Sequence, residues 1–205
     1  MTAIVLWSGG VESTWTLDHV LRATDHDTIA LHVRKFPLNS AMQCDYRAVM
    51  QIAPYLRKTR RGFDLQLGSV QLPLGVSSEW QGILALMAAN ICLRRGDITD
   101  IYFGENVEEH ELNRPTGRTT MMHYLSAFLF LPEHDRLVEM DIAKAAPMPG
   151  VHRPGVDKRK KELVRDLEPE LREMVWSCQV PIAIGSVFRP CGSCFNCRLL
   201  TEANP

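Results

Sequence analysis

Two short stretches carry residue types whose spacing could do chemistry. The first is Ser8-Gly9-Gly10-Val11-Glu12-Ser13-Thr14, which follows the apolar run Ala3 to Trp7 and opens a helical pattern with Trp15, Leu17, Val20 and Leu21 on one face. Glycines at such a turn let the backbone take positive φ and come close to a ligand. The free amides of the helix N-terminus then favour an anion, and Ser8, Ser13 and Thr14 add hydroxyl donors. Two glycines are often only a turn. Their place after the first strand, at the end where open α/β sheets hold ligands, points to a phosphate. The stretch is neither a Walker A loop, which needs Gly-Lys-Ser/Thr, nor a dinucleotide-binding GxGxxG. The second stretch is Cys191-Gly-Ser-Cys194-Phe-Asn-Cys197, with Cys178 upstream. Two-residue gaps let successive thiolates turn onto one ion, and the fourth closes a tetrahedron. An iron–sulfur cluster and unligated thiols are the alternatives. Ferredoxin-type runs end in Cys-Pro, whereas Arg-Leu-Leu follows Cys197, which favours structural zinc. Cys44 and Cys92 sit in apolar helical patterns and read as buried thiols.

Alternating strands and helices must position these residues. Thr28 to Arg34 reads as a second strand, Cys44 to Tyr55 as a helix ending soon after Pro54, and Gly62 to Leu72 as a third strand. Ser78 to Arg94 is a strong helical pattern that Ser78 can cap and Gly96 can stop. Asp100 to Phe103 then reads as a short buried strand, Thr119 to Leu131 as a helix, Leu137 to Ile142 as a strand and Asp157 to Leu167 as a charged helix. Ala145 to Gly155, rich in proline and glycine, reads as a surface loop, and the chain from Trp176 as irregular. This alternation implies an α/β, Rossmann-like fold: a mainly parallel sheet of about five strands with helices on both faces. A nucleotide-binding core over 1–150 and a helical, zinc-binding region over 151–205 are expected to form one compact unit.

Composition excludes several classes. The chain has 205 residues and a net charge of −1, with 45% hydrophobic and 23% charged residues. That balance argues against coating nucleic acid or an anionic membrane. Apolar runs such as Ile83 to Cys92 and Tyr124 to Leu131 are shorter than a membrane helix needs. MTAIVLWSGG lacks the features of a secretory signal, so a cytoplasmic location is expected, where six cysteines are metal ligands or free thiols rather than disulfides.

SGGVES resembles the SGGxDS pyrophosphate loop of the ATP pyrophosphatase (PP-loop) family, whose members split ATP between the α and β phosphates and activate an acyl or carbonyl oxygen as its adenylate. Glu12 stands where that family has aspartate. Loop and cysteines together make the chain similar to the 7-cyano-7-deazaguanine synthase (QueC) family of queuosine precursor synthesis. IYFGENVEEHE (Ile101 to Glu111) looks like its strand-Gly-x-Asn-x-Glu-Asp stretch, and DKRKKELV like its Lys-x-Glu-Ile-Val stretch, which puts Lys160 at the family's lysine. Trp176-Ser-Cys178 followed by CGSCFNCRLL resembles its WSC…CGxCxxCxxR ending. The chain departs from the family at Val76-Ser-Ser-Glu-Trp80-Gln-Gly and at Asn113 to Thr120, both on the substrate side.

The resemblance implies an adenine nucleotide alpha hydrolase (HUP-type) fold, ATP with Mg²⁺, a structural zinc on Cys178, Cys191, Cys194 and Cys197, and a homodimer. Ser8, Gly9, Gly10, Val11, Ser13 and Thr14 would hold the pyrophosphate. Ser8, Glu12, Ser13 and Lys160 would carry catalysis, Glu12 with Mg²⁺ and Lys160 on the α-phosphate. Without the resemblance, the run Lys158-Arg-Lys-Lys161 reads as a solvated helix face. Asn106, Glu108, Arg114, Arg118 and Trp80 are the substrate-side candidates; an arginine could pair a carboxylate, and Trp80 could stack on a purine-like ring or simply pack in the core. The implied activity is adenylation of 7-carboxy-7-deazaguanine followed by amine attack, giving amide or nitrile. An anti-phage defence relative that joins a deazaguanine to a protein partner is one alternative, and a catalytically degenerate nucleotide-binding module another.

Overall fold

The computed structural model describes residues 1–36, 39–71, 80–108 and 149–203. Strand β1 (Thr2–Leu6) is unbroken in its apolar character, and all five residues are buried. A strand can be apolar on both sides only where both faces are covered, as at the centre of a parallel sheet. Helix α1 (Val11–Ala23), β2 (Asp27–Phe36), α2 (Ser40–Thr59), β3 (Asp64–Gln71), α3 (Trp80–Arg95) and β4 (Ile98–Phe103) follow. Beyond them come β5 (Gly150–His152), α4 (Lys160–Asp166), α5 (Pro169–Met174), β6 (Ile182–Ile184), β7 (Val187–Arg189) and α6 (Phe195–Ala203).

The sheet order is β3-β2-β1-β4-β5 with every pairing parallel, as expected of the α/β class. Successive side chains of a strand point to opposite faces. Val5 and Ala30 therefore join α1, α2, α4 and α5 in one apolar cluster. Ile4, Leu6, Ile29, Leu31 and Val33 meet Ala85, Ala88, Ala89 and Cys92 of α3 in the other. Each fully buried aliphatic side chain contributes about 1.5–3 kcal/mol. Because Leu163, Val164, Leu167 and Leu171 lie in the first cluster, the region after residue 150 shares the core of the region before it.

The chain steps outward from β1 to β3, then returns to place β4 on the other side of β1. The strand order reverses between β1 and β4, and the crevice at their carboxyl ends is where such sheets bind ligands.

Four segments differ from the expectation. Helix α2 runs through Pro54 to Thr59 instead of ending there. Pro54 removes one hydrogen bond, but the buried stripe Cys44, Ala48, Val49, Ile52, Ala53 and Leu56 continues past it and holds the helix together. The stretch read as a surface loop contains β5, whose Val151 is buried opposite Ile101. The tail read as irregular forms the β6–β7 hairpin and α6. The charged helix begins at Lys160 rather than Asp157, and α3 ends just before Gly96 as expected. Ser78, the helix expected over 119–131 and the strand expected over 137–142 lie outside the described residues.

Candidate functional site

Trp7 anchors the chain where β1 ends. It is buried, packs edge-on against Phe63, and donates its indole N–H to Thr14 Oγ1 at 3.0 Å. The Thr14 hydroxyl therefore serves the core beneath the loop. Above it, Gly9 takes φ +90, a conformation that strains any residue with a Cβ. The same position leaves no room, since a Cβ there would lie 2.8 Å from the Asp45 carbonyl oxygen. Ser8 and Ser13 hydroxyls are 2.9 Å apart, and Ser13 Oγ also accepts from the Ser8 amide. Gly104, just after β4, closes the crevice from the other side; a Cβ on it would come within 2.4 Å of the Glu12 carbonyl carbon.

Lys160, Glu12, Asn106 and Asn196 form one buried network behind this loop. The Lys160 ammonium is fully buried (0% exposed) and lies 2.6 Å from Glu12 Oε1. Asn106 Nδ2 donates to the same oxygen at 2.8 Å, and Lys160 Nζ donates to Asn196 Oδ1 at 2.9 Å. Glu12 Oε2 has no partner among the described residues, and Glu12 lines the crevice. Lys160 is thus distinct from exposed Arg159 and half-buried Lys158 in the same basic run. It stands behind Glu12, not among the residues lining the crevice. Glu108 Oε2 accepts from the Lys160 amide at 3.1 Å and so secures the start of α4.

Two cavities open at the carboxyl ends of the strands. The more apolar one, about 280 Å³, is lined by Leu6, Trp7, Leu31, His32, Val33, Arg34 and Phe103, among others. The more polar one, about 240 Å³, lies between the loop and the C-terminal segment, with Gly10 and Glu12 on one wall and Trp176 to Gln179 and Asn196 on the other. Ser8, Ser13, Asp45 and Gly104 belong to both. The two walls of the polar cavity are tied directly: the Trp176 amide donates to Gly9 O at 3.0 Å, and the Val11 amide to Ser177 Oγ at 3.3 Å.

Two residues of this site carried no sequence signal. The Asp45 carboxyl makes no hydrogen bond or ion pair among the described residues, and burial pushes it up to about 7. His32 is buried, and burial lowers its pKa. Its Nδ1 lies 2.9 Å from the Trp7 carbonyl, which can only accept, so Nδ1 carries the proton and Nε2 is an acceptor with no partner among the described residues. Asp45 sits off the apolar stripe of α2, in a run with no motif spacing, and His32 reads as one more position of a strand.

The four cysteines converge. One sulfur from each of Cys178, Cys191, Cys194 and Cys197 lies within 4.8 Å of the others. Cys191 Sγ and Cys197 Sγ are 3.9 Å apart, close to the ~3.8 Å that a tetrahedral ion with 2.3 Å metal–sulfur bonds requires. Backbone amides aim at the sulfurs: Cys194 N donates to Cys191 Sγ and Cys191 N to Cys178 Sγ, both at 3.3 Å. Amide donation from Cys194, then Ser193, brings the Cys191 thiol down to about 6, while burial pushes Cys197 up to about 12. The donor set and spacing fit a metal ion. Cys44 and Cys92 are buried thiols apart from this cluster, as expected.

The structure thus brings Ser8, Gly9, Gly10, Val11, Glu12, Ser13, Asn106 and Lys160 together around one crevice, with the cysteine segment as its far wall. Trp80 begins α3, and Arg114 and Arg118 lie outside the described residues. Among the described residues no helix is long and apolar enough to cross a membrane. No model of a known protein family matches the chain, and no curated protein matches it.

Proposed function

We propose that the protein is a QueC-like PP-loop enzyme of the HUP-type fold that uses ATP to adenylate a 7-deazaguanine carboxylate, 7-carboxy-7-deazaguanine, and passes the acyl group to an amine. One observation carries this reading. The SGGVES turn and the cysteine segment, far apart in sequence, form opposite walls of the same polar cavity at the strand-order reversal.

The chemistry follows from the parts. A carboxylate is a poor electrophile, and adenylation makes its oxygen a good leaving group. Catalysis is then mostly positioning and neutralisation of phosphate charge. The amides at the start of α1 and the Ser8 and Ser13 hydroxyls are suited to hold the pyrophosphate. Mg²⁺ bound with ATP would supply neutralisation of phosphate charge, and Glu12 Oε2, a hard oxygen donor, is the group that would hold it. Lys160 and Asn106 hold the other oxygen of Glu12, so in this reading Lys160 acts through Glu12 as a positioning residue. Zinc on the four cysteines is structural, with no open position. Its task is to fix Asn196 and the Trp176 to Gln179 wall.

The test is direct. The zinc-loaded protein given 7-carboxy-7-deazaguanine, Mg-ATP and ammonia should release AMP together with amide or nitrile. ATP binding without AMP release would favour the degenerate nucleotide-binding module instead. The protein-conjugating reading gains support from the exposed apolar hairpin beside the cysteines, where Ile182, Ile184 and Val187 are each at least half exposed. A partner polypeptide that gains the mass of a deazaguanine only in the presence of this enzyme would select it.

A further inference from the structure

Asp45 is placed where neither the loop nor the metal cluster explains it. Among the described residues lining the apolar cavity it is the only carboxylate, and it also borders the polar cavity where the phosphates would lie. Asp45 is half-buried, and a carboxylate withdrawn from water normally has a partner, because desolvating it without one is costly. Asp45 has none among the described residues. Its helix is nonetheless held firmly against the loop: the Asp45 carbonyl oxygen occupies the space a Gly9 side chain would need.

We propose that Asp45 is the proton acceptor for the amine nucleophile, holding ammonia or a primary amine at the junction of the two cavities and taking the proton its nitrogen sheds; this rests on the adenylation reading above. As the C–N bond forms, the nitrogen lone pair goes to the acyl carbon. The C–O bond to the α-phosphate breaks with its electron pair leaving on AMP, and the surplus nitrogen proton passes to the Asp45 carboxylate.

The surroundings suit that role. A carboxyl group that titrates near 7 is a useful base at neutral pH, where an ordinary aspartate is too weak. The groups around the two cavities that could disturb it are His32 and Arg34 on β2, Glu12 on α1 and Cys178 across the polar cavity, with Cys44 and Arg47 beside it on α2. Glu12 is already paired with Lys160, and His32 Nε2, although an acceptor, is buried with its pKa lowered by that burial, so it is a weaker base than Asp45.

The two half-reactions separate the outcomes. Pyrophosphate–ATP exchange with 7-carboxy-7-deazaguanine reads adenylation without any amine. Single-turnover amide formation with ammonia reads the second half. Asp45→Asn should keep exchange within about threefold of wild type and lower amide formation by about 10²–10⁴-fold, with Asp45→Glu recovering part of the loss. With rates compared at equal free-base ammonia, the wild type should climb through about pH 7 and level off, and Asp45→Asn should lose that rise. Equal loss in both half-reactions, or undiminished amide formation, overturns the assignment and leaves the adenylation reading standing. Absence of exchange in the wild type overturns the adenylation reading and this assignment with it.

Discussion

The two walls of the polar cavity are built by opposite means. On one side, the turn at Ser8 to Thr14 grows out of a fully buried strand and is seated on Trp7, Val11 and Trp15. On the other, the segment after Trp176 buries little apolar surface. Val180, Ile182, Ile184 and Val187 are exposed, and an isolated two-stranded hairpin is marginal in water. What the second wall has instead is four converging cysteines and a few hydrogen bonds to the first. One wall is held by the core, the other by a cysteine cluster whose spacing fits a metal ion. Lys160 joins them, with one contact to Glu12 and one to Asn196.

Metal removal breaks the comparison most sharply. Where a site does not preform, metal-binding energy is folding energy. Chelation, or Cys194→Ala, should abolish AMP formation. Amide hydrogens over 178–203 should exchange at least about a hundredfold faster while those of β1 and β2 keep their protection. Equal loss of protection in the central strands would show that the walls do not have separate supports.

The joint between the walls gives the next effect. Lys160→Met keeps the side-chain volume and removes the charge, leaving Glu12 with Asn106 but no cation and Asn196 Oδ1 without the Lys160 donor. Breaking a buried ion pair from one side costs about 3–5 kcal/mol, because the remaining charge stays buried. Thermal unfolding should show that loss, and adding Glu12→Gln should recover part of it. No recovery would place the cost in packing instead.

How much of this was legible in the sequence follows the same division. The apolar run Ala3 to Trp7, the SGGVES turn and the cysteine spacing are local patterns, and the structure places each as a strand, a turn or a cluster accordingly. The burial of Lys160 was not local. Lys158, Arg159 and Lys161 have the same charge, and only the packing of α4 on α1 selects the one that goes inside. Pro54 misled for a related reason, since a stripe of buried residues outweighed a local helix breaker. Asp45 left no trace at all. A single acid on a helix is ordinary, and its place at the junction of two cavities exists only once β1, β2 and α2 are assembled.

Asp45 also supplies the smallest effect, and its sign can be worked out. Its carboxyl is raised to about 7 in the folded protein, against about 3.9 in an unfolded chain. Between these values the folded state binds the extra proton, so stability falls as pH rises from about 4 to about 7, and the penalty is fully present above that range. Asp45→Asn removes the charged form without removing a hydrogen bond, because the carboxyl makes none among the described residues. The variant should therefore match the wild type in denaturant unfolding at pH 4 and exceed it by about 2 kcal/mol at pH 8, a figure kept below the full shift because the carboxylate borders open cavities. A variant that gains stability while losing amide formation would place Asp45 among residues kept for chemistry at the expense of the fold. A variant less stable at pH 8 would mean that the carboxylate has a stabilising partner and belongs to the core-held wall.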